Sequence, residues 1–141
     1  INMYHFMDRF LQASTAGDGL YWPSFPNETL DSLVSYYLDL ALLEYEFSRS
    51  FRSQIVASAI FLARLVLGLR ARNGKIWSDT LQYYTGYCMT ELEDCVIKLR
   101  DLQSMASEKY PNIFAKYCHS AYREVAYKAA PLREDLLNVF E

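Results

Sequence analysis

The sequence predicts an all-α domain, a bundle of about five helices around one central apolar helix. Three observations carry this. Residues 53–69 place apolar side chains nearly all round a helix, which is the pattern of a helix enclosed by others. The flanking segments repeat their apolar residues at helical spacing, as helices with one buried face do. No period-two alternation of useful length occurs, so strands have no support.

The first helix is read from Tyr4, Phe6, Met7, Phe10 and Leu11. Thr15 to Gly19, with two glycines and small polar residues, is expected to stop it. Trp22-Pro23-Ser24-Phe25-Pro26 is a second break, held extended by its prolines. Asn27 is the expected N-cap of the second helix, with Glu28 and Asp31 near its positive end. Its stripe is Leu30, Leu33, Val34, Tyr37, Leu38, Ala41 and Leu42. Glu44 to Arg52 reads as a connection, and Ser53 as the cap of the central helix, which runs to about Leu69. Ala57, Ala59 and Ala63 would let neighbouring helices approach it closely. Asn73-Gly74 is the expected stop. Ser78-Asp79 opens a short segment to Tyr84, ended by Gly86. Thr90-Glu91-Leu92-Glu93 has the form of a capping box, and its helix presents Leu92, Val96, Leu99, Leu102 and Met105 on one face. Pro111 closes the region that follows. The tail carries Ile113, Phe114 and Tyr117, then Tyr122, Val125 and Ala126. Its last segment, through Leu136, Leu137, Val139 and Phe140, is expected to lie over the bundle.

The 141 residues fit one domain, 1–141, and the opening on Ile1 reads as a piece of a longer chain. A hydrophobic share of 52% and an aromatic share of 16% argue against disorder. The net charge of −3 argues against a nucleic-acid-binding face, which needs concentrated basic surface. The densest basic run, Arg70 to Lys75, reads as a solvated loop. Cys88, Cys95 and Cys118 have no CxxC spacing, which favours free thiols in a reducing compartment. Arg64 interrupts the longest apolar run, so no stretch reaches the roughly 18–20 residues of a membrane helix.

Catalytic chemistry finds no candidates. The only histidines, His5 and His119, lie at opposite ends of the chain, and neither Glu-x-x-His nor His-x-x-x-His spacing occurs, so no metal or cofactor is expected. Cys118 and His119 are adjacent, and adjacent helical residues point about 100° apart, which does not suit a nucleophile pair. No phosphate-cradling glycine loop is present. The acidic cluster Glu91, Glu93 and Asp94 sits at a helix start, where the helix dipole explains it.

Three segments resemble one family. Leu38-Asp39-Leu40-Ala41-Leu42-Leu43, a short link, then Ser53 to Ala63 is similar to the cyclin pattern in which an L-x-L helix end leads to an alanine-rich central helix. Trp77, Leu81, Thr85, Gly86 and Tyr87 resemble the W-x-x-x-L-x-x-x-[TS]-G-Y stretch of mitotic cyclins. Ile113, Lys116, Tyr117, Ser120, Tyr122 and Val125 fall on the terminal I-x-x-K-Y-x-x-S-x-Y-x-x-V signature of A- and B-type cyclins. The opening Phe6 to Leu11 resembles the first helix of the C-terminal cyclin domain, so the likeness covers nearly the whole chain. Arg52 stands where the family usually has a proline, and the loops Gly17–Asn27 and Arg70–Lys75 are longer than usual.

The resemblance implies the second cyclin box of a regulatory subunit that binds and activates a cyclin-dependent protein kinase, and not an enzyme. It implies that the kinase is gripped mainly by the first box, so it assigns no partner-binding residue here. An intracellular protein of nucleus or cytoplasm and a monomeric fragment are expected with it, and the charge and the apolar runs read above lead us to expect no nucleic-acid or membrane partner. Two other readings remain at this point. A cyclin-fold scaffold of transcription initiation needs a basic face that this composition lacks. An enzyme needs converging polar groups that the pattern does not offer.

Overall fold

The computed structural model describes residues 3–15, 28–71 and 74–141. Among them are seven α-helices and three short 3-10 turns, with no strand. The helices are α1 (Met3–Thr15), α2 (Glu28–Leu42), α3 (Arg52–Leu67), α4 (Asp79–Thr85), α5 (Met89–Lys109), α6 (Pro111–Cys118) and α7 (Arg133–Val139). The 3-10 turns are Tyr45–Arg49, Ser120–Tyr122 and Val125–Tyr127. Beyond Thr15, the stop expected after α1 lies outside the described residues, as do the Trp22–Pro26 break, the Asn27 cap and Asn73.

Helix α3 is the centre of the bundle, packed by α1, α2 and α5. From Ile55 to Arg64 every residue is buried. Ala57, Ala59 and Ala63 are wholly enclosed, as close approach of three neighbours requires. Arg64 is wholly enclosed with them, so the residue that interrupts the apolar run lies inside the bundle. No helix among the described residues is long and apolar enough to cross a membrane.

Several sequence expectations are corrected. Ser53 does not cap α3: the helix begins at Arg52 with Phe51 in the cap position, and the Ser53 hydroxyl is 2.7 Å from the Tyr87 phenol. Leu69 lies beyond the helix, which Gly68 closes in the left-handed conformation at φ 70°, well before Gly74. Thr90 is not the cap of α5. That position belongs to Cys88, whose side chain accepts from the N3 amide while its own backbone N–H donates to Glu91 Oε1 at 3.0 Å. Thr90, the better cap by residue type, already lies in the first turn. Leu42 and Met105 end their stripes in solvent, at 62% and 40% exposure. Pro111 opens α6, a first-turn position where its missing N–H costs nothing.

Other boundaries match their local chemistry. Ser78 caps α4 by accepting from the Leu81 N–H at 3.1 Å, and Gly86 ends it at φ 77°. Glu44 to Phe51 is a connection in which the 3-10 turn buries Phe47. The tail is laid on the bundle, with Leu136 buried and Phe140 stacked on Phe61 of α3 at 5.1 Å.

Candidate interaction surface

Two polar junctions hold the tail and the α4 corner in place. At the first, Asp39 of α2 accepts from the Tyr4 phenol of α1 and from the Tyr117 phenol of α6, both at 2.6 Å. Lys116 Nζ lies 3.3 Å from the same carboxylate. Tyr117 is buried, and its ring packs on Tyr36 at 5.1 Å and Tyr122 at 4.7 Å. The Lys116 ammonium sits over both Tyr117 and Tyr122, at 5.0 and 5.3 Å. Burial, then the hydrogen bond to Asp39, pushes the Tyr4 phenol up to about 12 and the Tyr117 phenol upward as well.

Below this hub, Tyr37 donates to Gln103 Oε1 at 2.9 Å, and the Gln103 amide donates to the Lys128 carbonyl at 3.2 Å. Arg123 pairs with Glu28. Arg123 and Glu124 both take the left-handed conformation, at φ 58° and 55°, in the tight reversal between the last two 3-10 turns. The tail is therefore tied to α2 and α5 by polar contacts as well as by packing.

The second junction is the α4 corner. The Trp77 indole N–H donates to the Tyr87 carbonyl at 2.8 Å, and its ring lies 5.9 Å from Phe61. Thr85 Oγ1 donates to the Leu81 carbonyl and accepts from the Tyr87 N–H. Each of Trp77, Leu81, Thr85, Gly86 and Tyr87 thus has a structural duty. The same holds for Lys116, Tyr117 and Tyr122 at the hub.

Residues 1–131 match the family described as the C-terminal domain of cyclins. The chain belongs to the cyclin family. Cyclin-A2-1 of Arabidopsis thaliana is 33% identical over 133 residues, covering 94% of this chain and 28% of that protein. Cyclin-A1-1 of Arabidopsis thaliana is 35% identical over 130 residues, 89% of this chain and 26% of that protein. Cyclin-A3-1 of Oryza sativa subsp. japonica is 39% identical over 98 residues, 70% of this chain and 24% of that protein. The cyclin domain described here therefore spans roughly a quarter of the length of these relatives.

The described surface of this cyclin domain offers apolar contact area. Cys118 and His119, adjacent in sequence, do not act on each other: His119 Nδ1 accepts from the Ala121 N–H at 3.0 Å, and the Cys118 thiol meets the Tyr127 phenol, whose pKa that bond raises. All three cysteines are free thiols. Among the described residues no group of three or more His, Cys, Asp or Glu is arranged to hold a metal ion. Large apolar side chains lie open around the α2–α3 link, at Leu42, Leu43, Tyr45 and Phe51, and on α4 at Tyr83 and Tyr84.

The sequence reading missed Asp39 as a hub, although it lies between Leu38 and Leu40, both buried. A lone carboxylate inside a buried helical run is the signal that could have marked it, since such a group needs partners. Tyr4 carried no signal beyond its place in the stripe of α1.

Proposed function

We propose that this chain is the second cyclin box of an A-type cyclin, part of a regulatory subunit that binds and activates a cyclin-dependent protein kinase in cell-cycle control. The carrying observation is the match to the cyclin C-terminal domain along nearly the whole chain. The names of the relatives above favour the A-type over the B-type. The signature residues Trp77, Thr85 and Tyr87 of the α4 corner and Lys116, Tyr117 and Tyr122 of the tail support it further, because they are used to build the fold. In this reading the domain is not an enzyme, is monomeric by itself, and works inside the cell in nucleus or cytoplasm.

A kinase is switched on only by a partner with differential affinity for its active state. Swinging such an equilibrium from one extreme to the other takes about 5.5 kcal/mol of differential binding. A second box that leaves the main grip to the first contributes little of that. The chain by itself is then expected to be folded yet to leave the kinase inactive, while the chain joined to an N-terminal box activates it. A kinase assay with the chain, the N-terminal box and the joined protein side by side tests this. Activation by the chain alone would place the kinase-binding surface on this domain.

A further inference from the structure

The loop joining α3 to α4 gathers positive charge on a chain that is otherwise acidic. Arg70, Arg72 and Lys75 stand within one short run that has no carboxylate, while the chain as a whole carries 17 acidic and 14 basic residues. The described part of the loop is closed on itself. The Gly74 N–H donates to the Ala71 carbonyl and the Ala71 N–H to the Lys75 carbonyl, each at 2.9 Å. Arg70 Nη1 donates to the Gly74 carbonyl at 3.0 Å. Arg70 and Lys75, both exposed, line a cavity of about 350 Å³. Asp79 also lines it, 3.7 Å from Lys75, which leaves the lining net positive.

The apolar part of the lining is Ile76, Trp77, Met89 and Val139. It is preformed: Trp77 is clamped by its bond to the Tyr87 carbonyl and by Phe61 behind it. A cavity at the small end of ligand-site volumes, part apolar and rimmed by a few polar groups, suits a single bulky side chain. The cations at its edge suit carboxylates on either side of that anchor, through charge-assisted hydrogen bonds.

We propose that this cavity is a docking site for a short acidic peptide segment of a partner protein. One large apolar side chain of that segment enters beside Met89 and Val139, and its flanking carboxylates meet Arg70 and Lys75. Charge complementarity on an acidic molecule selects the acidic partner. A nucleic acid fits the cavity less well, because single strands bind through open aromatic faces, and Trp77 is only 5% exposed. This site is independent of which half of a cyclin grips the kinase.

The test is fluorescence anisotropy of a labelled Asp-Glu-Phe-Glu-Asp peptide titrated with the 141-residue chain. Binding is expected to weaken about tenfold with Arg70→Glu and again with Lys75→Glu, equivalent to roughly 1.4 kcal/mol each. Replacing the peptide's Phe by Ala should weaken it comparably, and raised salt should weaken it further. Both substituted side chains are exposed, so the circular dichroism and melting of the variants should match the parent chain. Lys98→Glu, a charge reversal on the exposed face of α5 away from the cavity, serves as the control and should leave binding unchanged. No binding by the parent chain, equal weakening by Lys98→Glu, or tighter binding of an oligothymidine than of the peptide would overturn the proposal.

Discussion

Replacing Asp39 by Ala removes the acceptor that α1 and α6 share, and the cost can be worked from its three partners. Tyr117 is 2% exposed, so its phenol cannot exchange the lost bond for water unless α6 moves. A stranded buried donor costs about 1–3 kcal/mol. Tyr4 is 42% exposed and can turn to solvent, so its bond adds about 0.5 kcal/mol. The Lys116 side chain is 47% exposed, and a pair that open is worth about 0–1 kcal/mol. The expected loss is about 2–4 kcal/mol, which lowers Tm by roughly 3 °C for each kcal/mol in a chain of this size. Tyr117→Phe removes the donor while Asp39 keeps Tyr4 and Lys116, and should cost about 1–2 kcal/mol. In the double variant no donor is stranded, so its loss should fall about 1 kcal/mol short of the sum of the two single losses. Urea denaturation of the four proteins at a shared slope measures all of this. Hydrogen exchange should rise across residues 111–127 in Asp39→Ala. Strict additivity, or a Tyr117→Phe loss as large as that of Asp39→Ala, would show that the hub does not hold the tail.

Ala59→Leu and Ala63→Leu each force a larger side chain into a fully enclosed contact of α3 and should cost about 1–3 kcal/mol in chemical denaturation. Two neutral outcomes would mean there is room beside the central helix. Because Tyr4 and Tyr117 keep their protons in the fold beyond pH 10, where unfolded tyrosine releases them, the stability they contribute is complete below pH 10. It is lost as pH rises above 10, by about 12 for Tyr4 and at still higher pH for Tyr117. A Tm series over that window should fall steeply for the parent chain and less for Tyr4→Phe and Tyr117→Phe; slopes unchanged by either substitution would contradict it. Cys88→Ser keeps the cap of α5 and should preserve stability, whereas Cys88→Ala should cost about 0.5–2 kcal/mol; indistinguishable variants in urea would mean the Cys88 side chain does not serve as a cap.

Signals that act over one turn of chain were legible. Ser78 and Gly86 bracket α4 because a cap hydroxyl and a left-handed glycine act on amides and carbonyls within a few residues. The all-round apolar run of α3 was legible for a related reason, since only a helix enclosed on every side tolerates it. The faces of α2 and α5 were read too narrowly at some positions and too broadly at others. Tyr36 and Leu40 are buried because α2 is packed by the tail as well as by α3 and α5, while Leu42 emerges where those neighbours end. Residue type favours Thr90 as the cap of α5, and only the backbone path shows that the cap lies two residues earlier, at Cys88.

By itself the sequence determined the fold class, the central helix and the family, because each is written in spacing along one stretch of chain or in motifs preserved in order. The tertiary structure alone decided which polar groups meet. Tyr4 and Asp39 stand 35 residues apart, Asp39 and Tyr117 78 apart, and Tyr37 and Gln103 66 apart. No periodicity links such pairs. Their meeting follows from how four helices pack, and a buried carboxylate or phenol persists only where that packing brings it a partner.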